Sequence, residues 1–127
     1  MKIRTTHNSI RYRLRKSEID TLMNEGVITE SISFPSGHEL KSALQINDVI
    51  MNCEAGFDGN AITISLPTAM ASQWMNTSQV GIEEHLALPN GAKLHILIEK
   101  DFPCLDRPNE DKSDTFWELA DKPADSC

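Results

Sequence analysis

The sequence predicts an α+β chain dominated by antiparallel strands. Three observations predict it: short apolar runs of period two, turn signals between them, and a pattern that occurs twice. Placing IRYRLRKSEIDTLMN (10–24) over ITISLPTAMASQWMN (62–76) puts Ile10 on Ile62, Tyr12 on Ile64, Leu14 on Leu66, Leu22 on Trp74 and Asn24 on Asn76. With a two-residue gap, FPSGHELKSAL (34–44) falls on LPNGAKLHILI (88–98). Two pseudo-repeated βαββ halves, about 9–46 and 61–98, are therefore expected to close into a small barrel or to stack as a sandwich, with two short helices.

Each element has a local reason. In 10–14 the alternation Ile-Arg-Tyr-Arg-Leu puts Ile10, Tyr12 and Leu14 on one strand face and Arg11 and Arg13 on the other. A helix is expected from Ser17 and Glu18 to Asn24, with Ile19, Leu22 and Met23 on its buried stripe and Gly26 ending it. Pro35-Ser36-Gly37 and Pro89-Asn90-Gly91 mark turns between apolar runs, the Asn-Gly pair predicting a two-residue hairpin. Between the halves, one more strand is expected around Ile50–Glu54, followed by a turn at Asp58-Gly59-Asn60. Pro67 suits the start of the second helix, where its missing N–H is not needed.

Domain boundaries follow from composition. Residues 1–107 read as one α+β domain and 108–127 as an acidic C-terminal tail, in which SDTFWELADK suggests a short docked helix. The chain has 127 residues, enough for one core. It lacks both a run of about 18 apolar residues and a secretory signal pattern, so no membrane span and a cytoplasmic location are expected. Three cysteines (Cys53, Cys104 and Cys127) with no C-x-x-C pair argue against a disulfide framework or a closed zinc site. No cofactor is implied, because no phosphate-cradling, dinucleotide, nucleophile-elbow or zinc-protease motif occurs.

Net charge is −7, unevenly spread. Residues 1–16 hold six basic side chains and no acid, whereas 101–127 hold eight acids against Arg107, Lys112 and Lys122. Arg11, Arg13 and Arg15 are expected to project from one side of a strand about 6.6 Å apart, a spacing that suits successive phosphates. Only Tyr12 is interleaved, and it points to the other face, so base stacking is not provided. An ion-paired protein face is the leading reading, its partner the chain's own acidic tail or that of a second subunit. The candidate binding residues are Arg11, Arg13, Arg15, Asp101, Cys104, Asp106 and Arg107.

Two other chemistries were weighed. Cys104 stands between Asp101 and Asp106, whose charge opposes thiolate formation, so an inert cysteine is expected rather than a nucleophile or metal ligand. His85 and His95 flank the Asn-Gly turn. In a two-residue hairpin, Leu86 would pair with His95 and His85 with Ile96, so the imidazoles would point to opposite faces and share no metal. The function expected is a non-enzymatic binding or interaction module, able to pair with a protein partner or with itself. The alternatives are a nucleic-acid-binding regulator using Arg11, Arg13 and Arg15, and a metal- or thiol-dependent protein centred on Cys104.

The segments N-S-I-R-x-R-L-x-K-S-E (8–18) and I-E-K-D-F-x-C-L (98–105) carry a resemblance to a family of small bacterial proteins known only as a domain of unknown function. It spans about residues 1–115 and implies a bacterial, cytoplasmic, single-domain protein without an assigned activity. In that family the tail usually ends in a Phe-Pro-Asn-Pro-like sequence, whereas here Phe116 is followed by Trp117-Glu118-Leu119. The duplicated unit with AITISLPTAMASQWM is also similar in pattern to swapped-hairpin and cradle-loop barrels, some of which are dimeric transcription regulators.

Overall fold

A computed structural model gives the architecture, and it describes residues 1–101. The α+β class holds. Eight strands and two helices follow one another as β1 (Lys2–Thr6), β2 (Ser9–Leu14), α1 (Lys16–Glu25), β3 (Val27–Ser33) and β4 (Glu39–Asn47). Then come β5 (Glu54–Asp58), β6 (Ala61–Pro67), α2 (Thr68–Asn76), β7 (Gly81–Ala87) and β8 (Lys93–Lys100). The order ββαββ thus occurs twice. Corresponding elements keep one offset through the helices (Lys2 to Glu54, Ser9 to Ala61, Lys16 to Thr68), then a slightly larger one (Val27 to Gly81, Glu39 to Lys93). Each half has one strand more than the βαββ expected. The strand expected around Ile50–Glu54 begins at Glu54.

The strands form two separate four-stranded sheets, β1-β2-β8-β7 and β3-β4-β6-β5. They do not join into a closed barrel. The first and last hairpins share one sheet through the parallel pair β2·β8, and the two middle hairpins share the other through the parallel pair β4·β6. The other four pairings are antiparallel. Each helix carries the chain from one sheet to the other, which is how a parallel pair arises between hairpins remote in sequence. Matching backbone bonds tie the halves: His95 N–H donates to Asn8 O (2.9 Å) as Lys41 N–H donates to Asn60 O (2.8 Å).

One apolar core lies between the inward faces. Tyr12, Leu14, Ile96 and Ile98 come from the first sheet, Leu44, Ile64 and Leu66 from the second, and Leu22 and Trp74 from the helices, all without solvent exposure. Burial raises the Tyr12 phenol above its ordinary pKa, and a contact with Ser42, short of a well-formed hydrogen bond, offsets only part of that. The Trp74 indole N–H finds a partner in Val80 O (3.0 Å), so the largest core side chain is also satisfied.

Local chemistry explains the ends. α1 is capped backwards: Glu18, on its first turn, accepts from the Arg15 N–H (2.9 Å), while Gly26 ends it in the left-handed region (φ 78°). Met23, expected on the buried stripe, is half exposed. The β7–β8 connection is not a two-residue turn. Ala87 pairs with Lys93, Gly91 N–H donates to Leu88 O (3.0 Å), and Gly91 has φ 84°. Pro89 fixes φ for a type I turn, which puts the left-handed residue at Gly91 and gives a three-residue loop with a bulge. Phe34 to His38 repeat this loop, with Gly37 at φ 87°. Every pair in the β7–β8 hairpin therefore slips by one residue from the expected register.

Candidate functional site

That slip matters, because side chains alternate across a strand and a shift of one moves each to the other face. His85 pairs with His95, and the rings stack with centroids 4.7 Å apart. The expectation of opposite faces is corrected. Both imidazoles lie on the outer face of the β1-β2-β8-β7 sheet, where His95 Nε2 is 2.8 Å from Glu83 Oε2 and His95 Nδ1 is 3.3 Å from Ser9 Oγ. The backbone N–H of His95 donates to Asn8 O. Ser9, His95 and Glu83 thus form one chain of side-chain contacts centred on the His95 imidazole. Among the described residues, no group of three or more His, Cys, Asp or Glu side chains is arranged to hold a metal ion.

Beside the histidines, the same face becomes strongly basic. Alternation in β1 points Lys2 and Arg4 outward while Ile3 packs against the core, and β2 does the same with Arg11 and Arg13. The hairpin register sets Arg4 opposite Arg11 and Lys2 opposite Arg13. These four cations, with Ile3, line a groove of about 230 Å³. Directly opposed like charges destabilise a strand pair, by about 0.2–1 kcal/mol each.

Glu99, one strand over on β8, answers part of this charge. Its carboxylate accepts from Arg11 Nε at 2.5 Å and lies 3.7 Å from Arg13 Nε. Glu99 is 14% exposed and Arg11 20%, so the pair is largely screened from water. Gly81 stands across from Glu99, and a Cβ there would come within 3.2 Å of Glu99 Cγ and 2.9 Å of Ile98 O. The glycine leaves room for the carboxylate to reach toward β2. Asp101, just past β8, is held by its N–H to Leu14 O (2.7 Å) and by Lys2 Nζ at 3.4 Å.

The structure places the sequence-predicted residues as follows. Arg11 and Arg13 approach Glu99, while Asp101 pairs with Lys2. Arg15 does not join them, because β2 ends at Leu14; Arg15 is the N-cap of α1, its side chain 70% exposed beside Glu18. Cys104, Asp106, Arg107 and the segment 108–127 lie outside the described residues. Lys2 and Arg4 were missed as groove residues because β1 was not expected. The alternation Lys2-Ile3-Arg4 ahead of the His7-Asn8 turn is the signal that marks it.

Two other features complete the picture. The Met1 α-ammonium donates to Glu18 and, at 2.7 Å, to Glu30. Burial alone would lower its pKa, but the hydrogen bonds and charges of the two carboxylates outweigh that and raise it. Burial likewise opposes ionisation of Glu18, yet its bonds to the ammonium and the Arg15 N–H leave its pKa lowered. Cys53 is buried, and burial with the nearby charges of Glu84 and Glu54 pushes its thiol up to about 11, which leaves it inert at neutral pH. A second recess, about 360 Å³, is lined by Leu14, Ile19, Met23 and Met75 with two lysines and two aspartates, a balanced set with no preference for one charge.

The family model of unknown function DUF7009 matches residues 1–119, and the chain belongs to that family. No curated protein and no solved structure matches it. No helix among the described residues is long and apolar enough to cross a membrane.

Proposed function

We propose that this member of the family is a non-enzymatic interaction module that receives an acidic protein segment in the groove of Lys2, Arg4, Arg11 and Arg13. One observation carries the reading: two like-charged pairs directly opposed across the β1–β2 hairpin, an arrangement that lowers stability and that an incoming anion would relieve. A groove of about 230 Å³ suits a few carboxylates rather than a long polyanion. The only aromatic of the hairpin, Tyr12, is in the core and offers bases nothing to stack on. The chain's net charge of −7 also repels nucleic acid at long range. A cytoplasmic setting, where Cys53 stays reduced, agrees with this reading, and so does self-association through the oppositely charged ends.

Equilibrium binding of a fluorescein-labelled poly-glutamate decapeptide at low salt tests it. Arg4→Ser with Arg11→Ser should weaken binding at least tenfold. If affinity is indifferent to Arg4 and Arg11 in every form of the chain, the reading falls. If an oligonucleotide binds more tightly than the peptide, with a steep salt slope, nucleic acid takes its place.

A further inference from the structure

Resting on that reading, we infer that the groove's resident occupant is the acidic segment of the same chain, with carboxylates between Asp106 and Glu118 lying against Lys2, Arg4 and Arg11. An outside acidic partner then binds by displacing it.

The place where the described chain ends is the first reason. The N–H bond from Asp101 to Leu14 O (2.7 Å) and its ion pair with Lys2 (3.4 Å) fix the start of the following segment beside the groove. Composition is the second. Residues 102–127 carry seven acids against Arg107, Lys112 and Lys122, while among the described residues Lys2, Arg4 and Arg11 of the groove face the carboxylates of Glu99 and Asp101. The two sets are complementary. Reach is the third: five residues of extended chain span up to about 17 Å, so Asp106 can cross from β8 past β2 to Arg4 on β1, strands being about 4.8 Å apart. Tethering then gives the segment a local concentration on the order of millimolar, enough for weak charge pairs to keep the groove filled. The family match also runs on to residue 119, so the segment from Asp106 to Glu118 lies within the matched region.

The test keeps the chain at full length. Asp106→Asn, Glu110→Gln, Asp111→Asn and Asp114→Asn are combined, and the poly-glutamate probe is titrated into this variant and the parent. The inference expects the variant to bind at least tenfold more tightly, with the gain abolished by adding Arg4→Ser and Arg11→Ser. Equal, arginine-dependent affinity in both proteins overturns the inference and leaves the groove standing. Binding by neither protein removes the groove as well. Carbodiimide cross-linking of the parent, read by mass spectrometry, is a second measurement that needs no variant. Lys2 should join to a carboxylate between residues 106 and 118 within one monomer. If that cross-link is missing, or forms only between two copies, the intramolecular account is wrong.

Discussion

The outer faces of the two sheets are built on one plan and carry opposite chemistry. Where the β1-β2-β8-β7 sheet has Lys2, Arg4, Arg11, Arg13 and Glu99, the corresponding positions of the β3-β4-β6-β5 sheet are Glu54, Gly56, Thr63, Ser65 and Gln45. Glu99 bonds Arg11 at 2.5 Å; Gln45 Nε2 bonds Ser65 Oγ at 2.9 Å. Apart from Glu54, the second face builds the same ladder from neutral side chains, so the fold does not require the charge on the first. Inward, by contrast, the halves agree: Leu14 matches Leu66, Tyr12 matches Ile64 and Leu22 matches Trp74, all fully buried. Burial constrains the inner faces alike and leaves the outer faces free to differ.

Breaking the carboxylate bridge should separate the faces most. Glu99→Gln leaves Arg11 and Arg13 crowded together without their shared carboxylate, and urea unfolding should show a loss of about 2–4 kcal/mol. Gln45→Ala removes one neutral hydrogen bond and should cost about 1 kcal/mol in the same assay. Equal losses would mean that charge matters no more on one face than on the other.

A smaller difference separates the corresponding ends Met1 and Cys53. The lowered Glu18 pKa means its stabilisation is present above the ordinary carboxylate value, near 4.5, and is lost as pH falls through the lower folded value. The raised α-ammonium pKa has the opposite sense: its stabilisation is full below about 8 and is lost as pH rises through the folded value. The two shifts describe one ion pair and are counted once. Glu18→Gln should remove on the order of 1 kcal/mol near pH 6 and flatten the acid limb of a melting-temperature profile. At the other end, in a Cys104→Ser, Cys127→Ser background, Cys53 should react with a disulfide reagent at pH 8 only as fast as the protein unfolds.

The smallest test compares the two hairpin tips. Gly37→Ala and Gly91→Ala put a Cβ at φ 87° and 84°, with open space around each. Both should cost about 1 kcal/mol, by backbone strain alone. A loss at Gly91 well above that at Gly37 would show that the β7–β8 register bears on the charged face beyond the turn itself.

How much of this was legible varied with the interaction involved. The alternation in 10–14, the stop at Gly26 and the paired turns at Pro35 and Pro89 depend on neighbours in sequence, and the element order followed from them. The histidine pairing is not legible from Asn-Gly alone, because Pro89, whose fixed φ selects a type I turn, moves the register by one. β1 went unseen because five residues with one apolar side chain resemble a basic arm until a partner strand covers one face.

What the sequence by itself determined is the set of elements other than β1 and most of their inward faces, since periodicity and turn chemistry act over a few residues. Tertiary structure alone decided that the first hairpin joins the last. The parallel pair β2·β8, formed by residues some eighty-six apart such as Ser9 and His95, brings Glu99 against Arg11 and Arg13 and Asp101 against Lys2. Strand pairing depends on which apolar faces bury one another across the core. No local pattern records that choice, so only folding set Glu99 and Asp101 beside the groove that the β1–β2 hairpin lines.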